Sequence, residues 1–226
     1  VPKPKKDMPK VLLLPEKSAS TDKITEYLFS RGIDYAIIEY CIAKGLIFES
    51  LPYHNIVFVG FDNEGKAKNA VFRAAKDRRI LGDYSVSDKH YSFRIADSDS
   101  NEDHLFECAI DLLSYATLAK ISGRDWQKEN LVSLAGVYLP KEKIEESTTP
   151  AALVKYLEGK PHLKRFVLHF DNDNTGRKGT EALKAILPKQ YEVIDSPPPK
   201  GKDYNDFLCF QLGITRNKNK ERSNER

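Results

Sequence analysis

The stretch Arg165-Phe166-Val167-Leu168-His169-Phe170-Asp171-Asn172-Asp173-Asn174-Thr175-Gly176 decides how this chain is read. Its run of Phe, Val and Leu has the pattern of a strand buried on both faces, and it ends in two carboxylates one residue apart. In an α/β sheet such a strand delivers its last side chains to the carboxyl edge, where ligands bind. Asp171 and Asp173 are therefore expected at a site.

Working outward from that strand, elements alternate. Strands are expected over residues 104–107, 131–139, 165–171 and 191–195, with helices over 109–121, 150–157, 176–187 and 203–212. Such alternation implies right-handed crossovers and a mostly parallel sheet flanked by helices. Upstream the pattern differs. Ser18 to Asp22 and Asp34 supply capping side chains for two short helices, the second stopping at Gly45. A strand over 55–61, the turn Asp62-Asn63-Glu64-Gly65 and a return strand over 66–74 make a hairpin, and a further strand near Tyr91 to Ile95 is expected to complete an α+β unit. The expected organisation is a linker over 1–10, an α+β subdomain over 11–97, an α/β domain over 98–214 and a basic disordered tail from 215 to 226.

The formal charge of +3 is concentrated at the ends. The first ten residues and the last eleven are each strongly basic, which leaves the body mildly acidic. A uniformly basic nucleic-acid binder is excluded, so any phosphate-binding surface must be a local patch. The stretch from Lys66 to Arg94 offers one, with Arg73, Lys76, Lys89 and Arg94 among its bases and Phe72, Tyr84, Tyr91 and Phe93 interleaved. That composition suits backbone phosphates and stacked bases, and equally a hairpin edge protected by charge. Cys41, Cys108 and Cys209 encode neither a disulfide framework nor a zinc module. No stretch approaches the roughly 18 apolar residues of a membrane span, and the opening lacks a signal-peptide core, so a cytoplasmic location is expected.

The acids converge by topology. Glu107 ends one strand, Asp171 and Asp173 end another, and Asp203 and Asp206 follow the last strand after the loop Ser196 to Lys202; Asp111 lies one helical turn beyond Glu107. Carboxylates a few ångströms apart repel by several kcal/mol at an effective dielectric near about 20, so either their pKa values rise or cations enter. Hard oxygen donors without His or Cys favour Mg²⁺ or Mn²⁺, and Mg²⁺ so held usually works on phosphates. Each acid also has a duller explanation as a turn residue or helix cap. The DNDNTG stretch is no EF-hand, because Ala182 stands where the bidentate Glu is needed and a strand precedes it. As the D-x-D-x-T of a haloacid-dehalogenase-like phosphatase it has the right local spacing, with Asp171 as nucleophile, but that motif normally opens its domain.

LFECAIDLLS (Leu105 to Ser114), VLHFDNDNTGRKG (Val167 to Gly179) and GKDYNDFL (Gly201 to Leu208) resemble, in this order, the motifs of the Toprim domain shared by DnaG-type primases, type IA and type II topoisomerases and OLD-type nucleases. Cys108 stands where Gly is customary. Upstream, residues 27–47 and 57–74 are similar to the N-terminal part of a primase polymerase core. The resemblance implies a Rossmann-like Toprim fold, Glu107 as general acid or base, and Asp171, Asp173 and Asp111 holding one or two Mg²⁺ or Mn²⁺ ions, with Asp203 or Asp206 completing the second site. It gives Arg73 and its neighbours a template-facing role, and Arg177, Lys200 and Lys202 are candidate phosphate ligands, or else exposed loop charges. The zinc module that precedes such cores has no counterpart here, so template recognition is expected elsewhere. Tyr115 and Tyr204 read as packing residues, not as a topoisomerase nucleophile. The expected activity is a Mg²⁺-dependent primase-like nucleotidyltransferase of a plasmid or other mobile element. Its expected partners are single-stranded DNA, nucleotides and a helicase or relaxase of the same element. A nuclease on the same scaffold and a non-catalytic DNA-binding module are the alternatives.

Overall fold

The computed structural model describes residues 11–76, 80–96, 99–136 and 138–215. The expected linker, residues 216–226 of the expected tail, and Arg78 and Arg79 of the basic stretch lie outside the described residues.

The chain opens with two helices, α1 (Asp22–Ser30) and α2 (Tyr35–Ala43). Asp34 accepts the backbone N–H of Ala36, which satisfies one of the orphan donors at the start of α2. The strands β1 (Ile47–Ser50), β2 (Asn55–Phe61), β3 (Ala67–Ala74) and β4 (Leu81–Asp83) then form an antiparallel meander in that order. The short, mostly exposed β4 closes its edge without a hydrophobic signature of its own.

The second sheet has the order β5-β7-β6-β8-β9, comprising β5 (Arg94–Ile95), β6 (Glu102–Phe106), β7 (Asn130–Ser133), β8 (Arg165–Leu168) and β9 (Glu192–Asp195). All neighbours are parallel except β5 with β7. The helices α3 (Ala109–Ile121), α4 (Ala151–Glu158) and α5 (Asn174–Ile186) make the parallel connections, and α6 (Tyr204–Gln211) follows β9 and packs on α3. The fold is thus mixed α/β, with the parallel sheet in the C-terminal part and a small α+β region before it. One expectation is corrected: Arg94 and Ile95 pair with Val132 and Leu131, so this strand belongs to the second sheet and not to the α+β unit. A second correction concerns the strand expected over 131–139. It stops at Ser133 because the chain turns through Ala135 and Gly136, both at positive φ.

The two regions share one core. Ile24, Leu28, Ile37 and Ile38 of the first helices, Ile56 and Phe58 of β2, and Phe106, Leu112 and Leu113 of the second region form a continuous buried cluster. At about 1.5–3 kcal/mol for each large apolar side chain fully buried, this shared cluster binds the regions firmly. On the other face of the parallel sheet, α4 and α5 cover Leu105, Val132, Phe166 and Leu168. Both faces of the central strands are therefore buried, mostly by apolar side chains with Asp103 and His104 among them.

Candidate metal centre at the carboxyl edge of the parallel sheet

Glu107 directly follows β6, and Asp171 lies three residues past β8. The parallel pairing of these strands sets the two side by side. The backbone N–H of Asp171 donates to Oε1 of Glu107 at 3.1 Å. Gly176 permits the turn that follows: a Cβ there would collide with the Asp171 carbonyl oxygen, so only glycine lets the start of α5 close on the strand end. Asp173 caps α5, accepting the N–H groups of Thr175 and Gly176 at 3.0 and 2.9 Å.

The loop from Ser196 to Asp203 folds over this turn. Asn172, which the sequence did not single out, is its latch: its N–H donates to the Lys202 carbonyl at 2.6 Å and its side-chain amide to the Pro198 carbonyl at 2.8 Å. The Lys202 ammonium lies 3.2 Å from Asp171 Oδ2 and 3.0 Å from Asp173 Oδ2. Asp203 caps α6 by accepting the N–H of Asp206 at 2.6 Å, and Asp206 accepts the N–H of Lys202 at 3.2 Å. Asp111 accepts the Asn205 N–H at 3.2 Å and the Cys108 thiol at 2.9 Å, which ties α6 to α3. Cys108 thus packs against Asp111 in the place where a glycine was expected.

The charges respond to this crowding. Burial, reinforced by Asp171 and Asp173, pushes Glu107 up to about 7. Burial and Asp203 push Asp171 up to about 6, with Lys202 opposing. Burial, Asp203 and Asp171 raise Asp111 well above the usual carboxylate range. Asp173 goes the other way: partial burial works against it, but the Gly176 N–H and the Lys202 ammonium hold it below its ordinary value. Lys202 is raised in turn by Asp173 and Asp171, against the effect of burial.

Among the described residues no group of three or more His, Cys, Asp or Glu side chains is placed to hold a metal ion. The donor set nevertheless fits a hard divalent ion. Asp171 and Asp173 converge on one cationic nitrogen, all the donors are oxygens, and Mg²⁺ characteristically takes only one or two carboxylates and keeps several waters.

The basic residues divide into three settings. Arg73, whose Nε donates to the Tyr27 hydroxyl at 2.9 Å, and Lys89, 3.1 Å from Asp83, line a groove of about 230 Å³ with Cys108, Ala109 and Gly136, beside Glu107. Lys76 is exposed just beyond β3. Arg94 lies elsewhere, donating to the Phe61 carbonyl at 3.1 Å and stacking over Tyr156. Arg177 is engaged internally: it donates to both oxygens of Asp195 at 2.9 and 2.8 Å and to the carbonyls of Asp171 and Phe170, which fixes the end of β8. Lys200 stands 3.5 Å over the Phe210 ring.

Comparison with known proteins agrees with this geometry. Residues 104–208 match a family described as Toprim-like, and residues 26–100 match a family described as protein of unknown function (DUF3991). An uncharacterized protein of Bacillus anthracis is 31% identical over 126 residues, covering 51% of this chain and 35% of the relative, so the chain spans about a third of that relative's length. Among solved structures, the primase fragment of the bacteriophage T7 primase-helicase protein aligns with a TM-score of 0.54 at 22% identity, covering 82% of this chain and 68% of that one. A DnaG primase catalytic domain bound to ssDNA aligns with a TM-score of 0.54 at 12% identity, covering 87% and 74%. At these identities the structural likeness is one of fold. The chain therefore carries a Toprim-like domain over residues 104–208, on a fold shared with DnaG-type primase cores.

Proposed function

We propose that this chain is the catalytic core of a primase-like nucleotidyltransferase that extends ribonucleotides on single-stranded DNA with Mg²⁺ or Mn²⁺. The observation that carries this reading is the convergence of Asp171 and Asp173 on a single cation position beside Glu107. Asp171 and Asp173 are the residues to hold the ion, with Asp203 next to them. A bound divalent ion would neutralise charge on the phosphate oxygens of the incoming nucleotide.

The remaining work falls to the chain. Glu107, with its carboxyl raised to about 7, exchanges a proton near neutral pH, as a general acid or base must. Asp111, with an oxygen engaged by each of Asn205 and Cys108, is a positioning residue that holds α6, and with it Asp203, against α3. Arg73 and Lys89 in the adjoining groove offer positive charge to the template or nucleotide. Lys202 is a surrogate cation that must withdraw from Asp171 and Asp173 when a metal ion binds, and in that position it becomes available to a phosphate. A helicase of the same mobile element is the proposed protein partner, by analogy with the phage primase-helicase.

The test supplies Mg²⁺, single-stranded DNA templates and labelled ribonucleotides to the wild type, Glu107→Gln and Asp171→Asn. Template-directed incorporation lost in both variants supports the proposal. Strand scission in its place would assign the nuclease reading, and DNA binding without turnover the accessory-module reading.

A further inference from the structure

Beneath the carboxylate edge lies a buried polar block that the proposed chemistry leaves unused. His104 on β6 and His169, two residues before Asp171, are both buried and stack nearly parallel, with ring centroids 5.1 Å apart. Phe106 stacks on His169 at 4.8 Å, and Tyr115 and Tyr204 pack around it. A phenyl ring would fill this space equally well, whereas a buried imidazole costs free energy unless its nitrogens find partners. They do find them: His169 Nε2 lies 2.8 Å from His104 Nδ1, and His104 Nε2 faces Glu102 at 3.3 Å and Glu129 at 3.7 Å.

The remaining nitrogen points at the loop from Ser196 to Asp203. His169 Nδ1 is 3.0 Å from the Ser196 carbonyl oxygen and 2.9 Å from the Tyr204 hydroxyl, and that hydroxyl donates to the same carbonyl at 3.0 Å. Ser196 opens the loop and Tyr204 directly follows Asp203, so one nitrogen touches both ends of the segment carrying Lys202 and Asp203. Its own base is fixed, because the His169 N–H donates to the Leu105 carbonyl at 2.9 Å and so continues the ladder between β6 and β8. A carbonyl only accepts, so Nδ1 must carry a proton to bond Ser196. The contact with His104 at Nε2 holds the ring in the orientation that allows this.

We propose that His169 is a positioning residue: donating from Nδ1 to Ser196 and meeting the Tyr204 hydroxyl, it clasps the two ends of the loop and so holds Lys202 and Asp203 beside Asp171. The consequence for a bound ion rests on the metal-centre reading above; the clasp itself does not.

In metal-free protein, long-range ¹⁵N–¹H NMR should find His169 protonated at Nδ1. Hydrogen exchange of the Asn172 amide, which donates to the Lys202 carbonyl, reports whether the loop is seated. His169→Phe, which keeps the stacking, and Tyr204→Phe, which removes one hydroxyl, should each speed that exchange by about tenfold. His169→Asn, whose amide reproduces the Nδ1 donor, should stay within about threefold of wild type, whereas His169→Gln, whose amide reaches toward His104 instead, should resemble His169→Phe. Leu153→Val, on the opposite face of the sheet, controls for a general loss of stability. Mn²⁺ titrations are made in the Lys202→Met background, where no ammonium competes. There His169→Phe should weaken binding by about tenfold, the lower end of what losing an outer-shell partner costs a metal site, and His169→Asn should restore most of it. An unprotonated Nδ1, or Asn172 exchange in His169→Phe no faster than in Leu153→Val, overturns the clasp. Faster exchange with unaltered Mn²⁺ affinity overturns its role in positioning the acids. Absence of Mn²⁺ binding in every protein sinks the metal-centre reading instead, and the exchange rates still decide the clasp.

Discussion

Strand β6 bears a carboxylate near each end, and the two ends behave differently. Asp103, at the amino end, is fully buried, and burial alone pushes it up to about 6 while Asn130 and Tyr156 pull the other way. Glu107, just past the carboxyl end, is also raised by burial, to about 7, but there Asp171 and Asp173 raise it further. A perturbed carboxyl therefore does not by itself mark a site. What sets Glu107 apart from Asp103 is the company of like charges: Asp171 and Asp173 add to its burial, whereas burial is the only influence that raises Asp103.

The largest expected effect tests this contrast directly. Glu107→Gln and Asp171→Asn should each lower Mg²⁺-dependent incorporation by roughly 10²–10⁴-fold, the range for a lost proton-transfer or charge-stabilising group. Asp103→Asn, at the other end of the strand, should stay within about tenfold of wild type. An equally deep loss at Asp103 would break the comparison.

Backbone crowding gives the next test. Gly176→Ala should cost about 3 kcal/mol in urea unfolding, because the new Cβ overlaps the Asp171 backbone. Gly159→Ala, at the end of α4, meets nothing nearer than the Tyr156 carbonyl at 3.8 Å and should change stability by less than about 1 kcal/mol. Similar costs at both glycines would show that the carboxyl edge is not especially tight.

The two ends also separate by pH. Asp103 has its folded pKa raised from 3.8 to about 6, so its contribution is fully present below pH 3.8 and is lost as pH rises through 6. That amounts to roughly 2–3 kcal/mol, which Asp103→Asn should remove from the thermal stability profile. In metal-free protein Glu107 adds a second loss as pH rises through about 7. Saturating Mn²⁺ should cancel the second loss, since the ion binds the ionised carboxylates, and leave the first intact. A Mn²⁺ effect on the Asp103 step would contradict the separation.

The smallest effect concerns Lys202. Lys202→Met should destabilise the metal-free protein by about 1 kcal/mol or less at pH 8, a half-exposed ion pair being partly screened. It should also tighten Mn²⁺ binding measured by calorimetry, because the competing ammonium is gone. Weaker Mn²⁺ binding would show instead that Lys202 helps to build the site.

Much of this was legible in the sequence because local chemistry decided it. Helix α3 occupies the span expected for it, and β2 follows its apolar run from Asn55 to Phe61. The carboxylates could be gathered in advance because parallel strands must end on one edge. The misses were cases where distant backbone took control. Residues beyond Ser133 look strand-like, yet the chain turns there; β4 is too short and exposed to leave a pattern; and β5 chose its partner across the molecule.

The sequence alone determined that apolar strands would carry Glu107, Asp171 and Asp173 to a common edge, since strand periodicity and connection handedness leave little choice. Only the tertiary structure decided that Arg177 would brace Asp195, that Asn172 would latch the loop bearing Lys202, and that Lys202 would face carboxylates. Those outcomes depend on how the loop from Ser196 to Asp203 lies across the sheet edge. Side-chain partners there are set by which charges happen to lie within a few ångströms, and spacing along the chain does not encode that distance.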